Sequence, residues 1–214
     1  MPREVQIPAH DAILQGNLGL PAGAGGIVLF VHGSGSSRHS PRNRFVAETF
    51  NAAGLATLLF DLLTPEEESV DVHTREHRFD IGLLAYRLDA AAEWVVHDRE
   101  ARGLRIGYFG SSTGGAAALV AAAEHPERAG AVVSRGGRPD LAPAALPRVR
   151  APTLLIVGGA DDVVIELNRQ AMAEMRCEVK LEIVPDATHL FEEPGALEEV
   201  ARLAGEWFVH HLEQ

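Results

Sequence analysis

The 214-residue chain has one cysteine, Cys177, so no internal disulfide braces the fold. A lone thiol suits a reducing compartment and reads as a core residue. Positive charge is scarce as well: 19 Lys and Arg stand against 30 Asp and Glu, a formal net charge of −11. That balance argues against a nucleic-acid backbone or an anionic membrane surface as the main partner. No apolar run reaches the roughly 18 residues of a membrane-spanning helix, and the opening Met-Pro-Arg-Glu-Val-Gln-Ile-Pro lacks the apolar stretch of a secretion signal. The expectation is a soluble, cytoplasmic protein with no nucleic-acid or membrane partner. Its oligomeric state is left open.

What the chain does have is an alternation of two patterns. Residues 27–31, Ile-Val-Leu-Phe-Val, are continuously apolar and β-branched, as expected for a strand buried on both faces of a parallel sheet. Residues 55–60, a stretch from residue 104, and residues 130–134, 153–157 and 179–184 read the same way. Helical spacing fills 42–53, 79–97, 113–124, 165–175 and 195–211. Residues 5–20 read as an edge hairpin, and residues 62–78, rich in charge and histidine, as a surface excursion without a core. The prediction is a single α/β domain over residues 1–214: a mostly parallel sheet with helices on both faces and no large cap domain.

The chain is organised around Gly110-Ser111-Ser112-Thr113-Gly114, which lies between a strand and an alanine-rich helix. The spacing fits the G-x-S-x-G turn, in which the serine stands at so sharp a strand-to-helix bend that its neighbours two residues away must lack a Cβ. Ser112 would then sit at a helix N-terminus, where free N–H groups favour an oxyanion. An ordinary glycine-rich turn would show the same letters without the flanking strand and helix.

Ligands of such sheets bind beyond the carboxyl ends of the strands, so catalytic partners should follow strands. Asp161 follows the strand at 153–157 through Gly-Gly-Ala, and His189 follows the last strand, giving the chain order Ser…Asp…His. A serine hydroxyl needs a base, and the imidazole needs a carboxylate to fix its tautomer. Asp162 and Asp186 are the competing carboxylates. Asp61, at another strand end, reads as a structural or pocket-rim residue. The loop His32-Gly33-Ser34-Gly35 follows the strand at 27–31 and is placed to give one oxyanion N–H, from Ser34 or its neighbour Gly33; the other would come from Thr113. No third glycine or G-x-x-x-x-G-K-[ST] supports nucleotide binding.

With Gly33, Arg135 and Arg138 are the candidate substrate-binding residues. The two arginines flank two glycines in what reads as a loop on the site's side, where a guanidinium fork could hold a substrate carboxylate. Solvated loop charge is the plainer reading of both. His73 and His77 have i, i+4 spacing but no third ligand, so no metal is expected.

These residues carry a resemblance. The His-Gly loop, the Ser112 elbow, Gly-Gly-Ala-Asp161 and His189-Leu-Phe-Glu-Glu-Pro together resemble the dienelactone hydrolase-like group of α/β-hydrolases over nearly the whole chain. The resemblance implies a cofactor-free serine hydrolase acting on esters or related acyl compounds, with Ser112, Asp161 and His189 as its triad. Dienelactone hydrolases proper carry a cysteine at the elbow, so the serine here points to simple ester hydrolysis. The expected partner is a small or exposed acyl substrate, with thioesters, amides or lactones, or a non-catalytic role, as the alternatives.

Overall fold

The computed structural model describes residues 2–212. Strands β1 (Arg3–Ala9) and β2 (Ala12–Gly19) form an antiparallel hairpin, with Val5, Ile7 and Ala9 turned inward at every second position. β2 runs antiparallel to β4 (Ala56–Phe60), and from there the sheet is parallel. Its eight strands lie in the order β1-β2-β4-β3-β5-β6-β7-β8, where β3 is Gly26–Val31, β5 Arg105–Ser111, β6 Ala129–Arg135, β7 Thr153–Gly158 and β8 Val179–Val184.

The continuous apolar runs follow from burial on both faces. Ile27, Leu29 and Val31 join one core with α3 (Ile81–His97) and α4 (Thr113–Glu124); Val28 and Phe30 join the other with α1 (Pro41–Ala52) and α6 (Ala196–Leu212). On the second face the rings of Phe30, Phe50, Phe109 and Phe208 interlock, with centroids 5.0 Å apart for Phe30 and Phe109 and 5.6 Å for Phe50 and Phe208. Tilted and edge-on pairs at such spacing gain beyond their area burial. α5 (Asp162–Glu174) shares the α3–α4 face, adding Ala171 to that core. Among the described residues no layer covers the carboxyl ends of the strands as a cap domain would.

The expected excursion is partly helical. α2 (Pro65–Thr74) forms because Thr64 Oγ1 accepts from the Glu67 N–H while Glu67 accepts from the Thr64 N–H, with Pro65 at the first helical position. Glu67 also binds Arg87 of α3, whose side chain is 0% exposed, at 2.8 Å. One member of the acidic run, Glu67, therefore supplies a counter-charge to a buried cation, while Glu66 beside it stays exposed on the surface.

Candidate active site

At the end of β5 the chain reverses through Ser112, held at φ 52° and ψ −121°. Such a backbone costs on the order of 1–3 kcal/mol and persists only where its surroundings impose it. Here two glycines do so. A Cβ on Gly110 would lie 2.4 Å from the Gly114 carbonyl oxygen, and one on Gly114 would lie 2.0 Å from that of Val31. The Ser112 N–H donates to the Arg135 carbonyl at 3.3 Å, and the Ser112 carbonyl accepts from Gly115 and Arg138. The hydroxyl makes no capping bond, so it leaves the first turn of α4 unclaimed.

Two loops away, His189 Nδ1 and Asp161 Oδ2 are 2.7 Å apart. Asp161 occupies the cap position of α5 immediately beyond β7, and His189 lies in the loop after β8. Because an ionised carboxylate only accepts, this bond puts the imidazole proton on Nδ1 and leaves the lone pair on Nε2. Gly136, at φ 51°, brings the backbone against the ring: a Cβ there would lie 3.5 Å from Nδ1 and from Cε1 of His189. Since Arg135, one residue earlier, is bonded to Ser112, the serine and the imidazole flank the same short segment. Asp162 begins α5 exposed, and Asp186 is an exposed turn residue at φ 58°. His189 is paired with neither.

The loop after β3 closes the other side. A Cβ on Gly33 would lie 3.0 Å from the Ser111 oxygen and 3.1 Å from the Ser112 Cβ, so this loop runs against the elbow. His32 sets its course. The Leu62 N–H donates to Nε2 at 3.1 Å, so the ring proton is on Nδ1, which donates to the Gly33 carbonyl at 3.0 Å. Burial lowers the His32 pKa below the ordinary histidine value, against the opposing pull of the Gly33 bond. The hydroxyls of Ser34 and Thr113 are 3.1 Å apart, and Ser34 Oγ donates to the Arg78 carbonyl at 3.2 Å. Arg78 is clamped in turn by buried Asp71, to which it donates from its backbone N–H at 3.0 Å and from Nε at 2.5 Å. Beside this loop opens a polar cleft of about 620 Å³ lined by Ser34, Gly35, Arg38, Arg42, Asp61 and Glu68. Asp61 is ion-paired with Arg38.

Of the two arginines, only Arg135 departs from the loop reading. Arg135 is the last residue of β6 and 8% exposed, because its strand continues one residue past the apolar run. Arg138 does lie in the loop, but Asp140 takes two of its donors at 2.8 and 2.7 Å, so no free fork remains there. His73 lies in the last turn of α2 while His77 lies past Arg75, which turns left-handed at φ 61°, so the two do not share a helical face. Among the described residues no cluster of three metal-ligating side chains occurs. Sequence reasoning missed Asn168, which is fully buried and donates from α5 to the Gly137 carbonyl at 3.0 Å, fixing the segment between Ser112 and His189. A polar residue on an otherwise apolar helix face was its signal.

A doubly covered, mostly parallel sheet with a strained serine turn after its central strand and an Asp–His pair beyond its later strands defines the α/β-hydrolase fold. The dienelactone hydrolase family model matches residues 15–209, and the chain belongs to that family. A dienelactone hydrolase from Anabaena variabilis is 62% identical in sequence, with a TM-score of 0.96 and 99% of each chain covered. An esterase of Pyrococcus furiosus shares the fold at 19% identity and a TM-score of 0.82, covering 99% of this chain and 92% of its own. A putative phosphoribosyl transferase of Mycobacterium tuberculosis is 57% identical over 209 residues, 98% of this chain but 46% of the relative. The chain thus spans about half the length of that relative.

Proposed function

We propose that this protein is a serine hydrolase that cleaves carboxylic esters of small or exposed acyl substrates. The observation that carries the reading is the Asp161–His189 bond of 2.7 Å, set across one short backbone segment from the strained Ser112. In this reading Ser112 Oγ attacks the ester carbonyl and His189 Nε2 takes its proton. The backbone N–H groups of Ser34 and Thr113 hold the oxyanion, and the protonated imidazole returns its proton to the leaving alcohol. Water then attacks the acyl-enzyme by the same route. Asp161 keeps the imidazole in the tautomer that leaves Nε2 free and stabilises its charged form.

The transferase name of the mycobacterial relative does not extend to this chain on our reading. The family model for hydrolases spans nearly all of the shared segment, and more than half of that relative lies outside it. Two measurements test the proposal. A fluorophosphonate should add one covalent mass to the wild type on Ser112 and none to Ser112→Ala, and 4-nitrophenyl acetate should be turned over only by the former. No label and no turnover would make the chain a binding domain on a hydrolase scaffold.

A further inference from the structure

Ser112 and His189 meet across residues 135–138, and the middle two of these, Gly136 and Gly137, lack side chains. Both are needed for room. Gly136 holds φ 51°, and a Cβ on Gly137 would lie 1.8 Å from Ser134 Oγ. The segment grips the nucleophile from both ends: the Arg135 carbonyl accepts from the Ser112 N–H at 3.3 Å, and the Arg138 N–H donates to the Ser112 carbonyl at 3.2 Å. Between those bonds Gly136 faces the His189 ring, where a Cβ would lie 3.5 Å from Nδ1. Adjacent glycines have the most backbone freedom to lose, so a segment that must be Gly-Gly needs an outside hold to keep one position.

Two holds are present. The Gly136 N–H donates to the Ile156 carbonyl of β7 at 2.7 Å, and the Gly137 carbonyl accepts from Asn168 Nδ2 at 3.0 Å. Asn168 is 0% exposed and also donates to the Val164 carbonyl at 2.8 Å, one turn back in α5. It stands two helical turns beyond Asp161, on the same face. α5 therefore reaches His189 twice: Asp161 at its cap bonds Nδ1, and Asn168 holds the backbone beside the ring. Packing alone does not account for this residue. Asn168 Oδ1 is buried without a hydrogen-bond partner, which costs stability, and an apolar side chain would fill the place without that cost.

We infer that Asn168 is a positioning residue for the reaction: its bond to Gly137 sets where Ser112 stands relative to His189. It acts on proton transfer between the two, and so on acylation, and leaves substrate binding alone. This role rests on the hydrolase reading of the site.

Single-turnover kinetics with the enzyme in excess over 4-nitrophenyl acetate separate the acylation rate constant from the binding constant. In Asn168→Leu, which keeps the branching and removes the donor, the acylation rate constant should fall by about tenfold or more. A misplacement of about 1 Å between reacting groups can cost on the order of 10²-fold. The binding constant should stay within about twofold. A fluorophosphonate should still label one site per chain, at a rate reduced in step with acylation. Ile165→Ala supplies the contrast: Ile165 is buried in the same helix against Val157 and Val164, and its side chain makes no bond to the 135–138 segment. That variant should lower the Tm yet keep acylation per labelled site within about threefold. If Asn168→Leu fails to fold, Asn168→Ala carries the test. An acylation loss below tenfold, a loss carried by the binding constant, an equal loss in Ile165→Ala, or loss of fold in both Asn168 variants would overturn the role and leave the hydrolase reading standing. A wild type that neither takes the label nor turns over the ester would sink both.

Discussion

The two walls around Ser112 are built by opposite means. The elbow wall is fixed by missing side chains and by backbone: Gly110 and Gly114 admit contacts that any Cβ would block, and Ser112 is bonded through its own N–H and carbonyl. The wall formed by the loop after β3, which supplies an oxyanion N–H on the proposed mechanism, is fixed by side chains. His32 orients the Gly33 carbonyl, Ser34 joins Thr113, and Arg78 with Asp71 braces Ser34 from outside the sheet. A wall made of backbone fails as a whole when one atom is added. A wall made of hydrogen-bonded side chains should fail by degrees, because each bond contributes only about 0.5–1.5 kcal/mol net.

Substitutions ranked by expected effect test that contrast. Gly114→Ala places a methyl 2.0 Å from a main-chain oxygen and should leave no folded protein, read as loss of a cooperative thermal transition. On the proposed mechanism, Ser112→Ala or His189→Ala should lower kcat by about 10⁴-fold or more with the fold intact, and the double variant should lose little beyond either alone. Losses that add on a logarithmic scale would rule out a shared step. Asp161→Asn should cost about 10³–10⁴-fold in kcat by releasing the imidazole tautomer, while Asp162→Asn and Asp186→Asn stay within about threefold. A larger loss at either neighbour would move the orienting role. On the other wall, Ser34→Ala keeps its N–H and removes only the hydroxyl link, so kcat should fall by about tenfold with KM little changed. A loss as large as that of Ser112→Ala would mean that this wall, too, is all-or-none.

The same contrast explains how much could be read from the sequence. Elements with one dominant cause were legible: the strands from runs buried on both faces, the elbow from glycines two residues either side of Ser112, and Asp161 and His189 from their places after strands. Elements fixed by distant side chains were not. The capping box of Thr64 and Glu67 was present in the letters, yet the charge around it suggested solvent, because the buried Arg87 that Glu67 meets lies twenty residues further on. Arg135 and Arg138 look alike in sequence; one is the last residue of a strand, and the other has its aspartate two positions away. Asp140 was a local signal for Arg138, whereas nothing local shows that Arg135 is buried with donors unpaired.

His32 gives the finest test, since its effect should depend on pH. Its buried imidazole accepts the Leu62 N–H on Nε2, and protonation would remove that acceptor and place a charge where burial opposes it. The folded-state pKa is lowered, so near the ordinary histidine value, about 6.5, the unfolded chain takes up the proton first. The stability that His32 contributes is therefore complete above that pH and is lost as the pH falls below it, by at most about 1.4 kcal/mol per pH unit. Asp71 does not blur this window. Its carboxyl, held low by its bonds from Arg78 and the His77 N–H against the effect of burial, loses its contribution only below the ordinary aspartate range. His211, whose pKa burial also lowers, is common to wild type and variant and cancels in their difference. Urea unfolding of wild type and His32→Gln at pH 7.5 and pH 5.5 should show the variant less stable at the higher pH and the gap narrowing at the lower. A gap that stays constant would mean that folding leaves the proton affinity of His32 unchanged, and one that widens at pH 5.5 that the imidazole is already protonated in the folded protein; in the second case the neutral ring that accepts the Leu62 N–H would have to be abandoned.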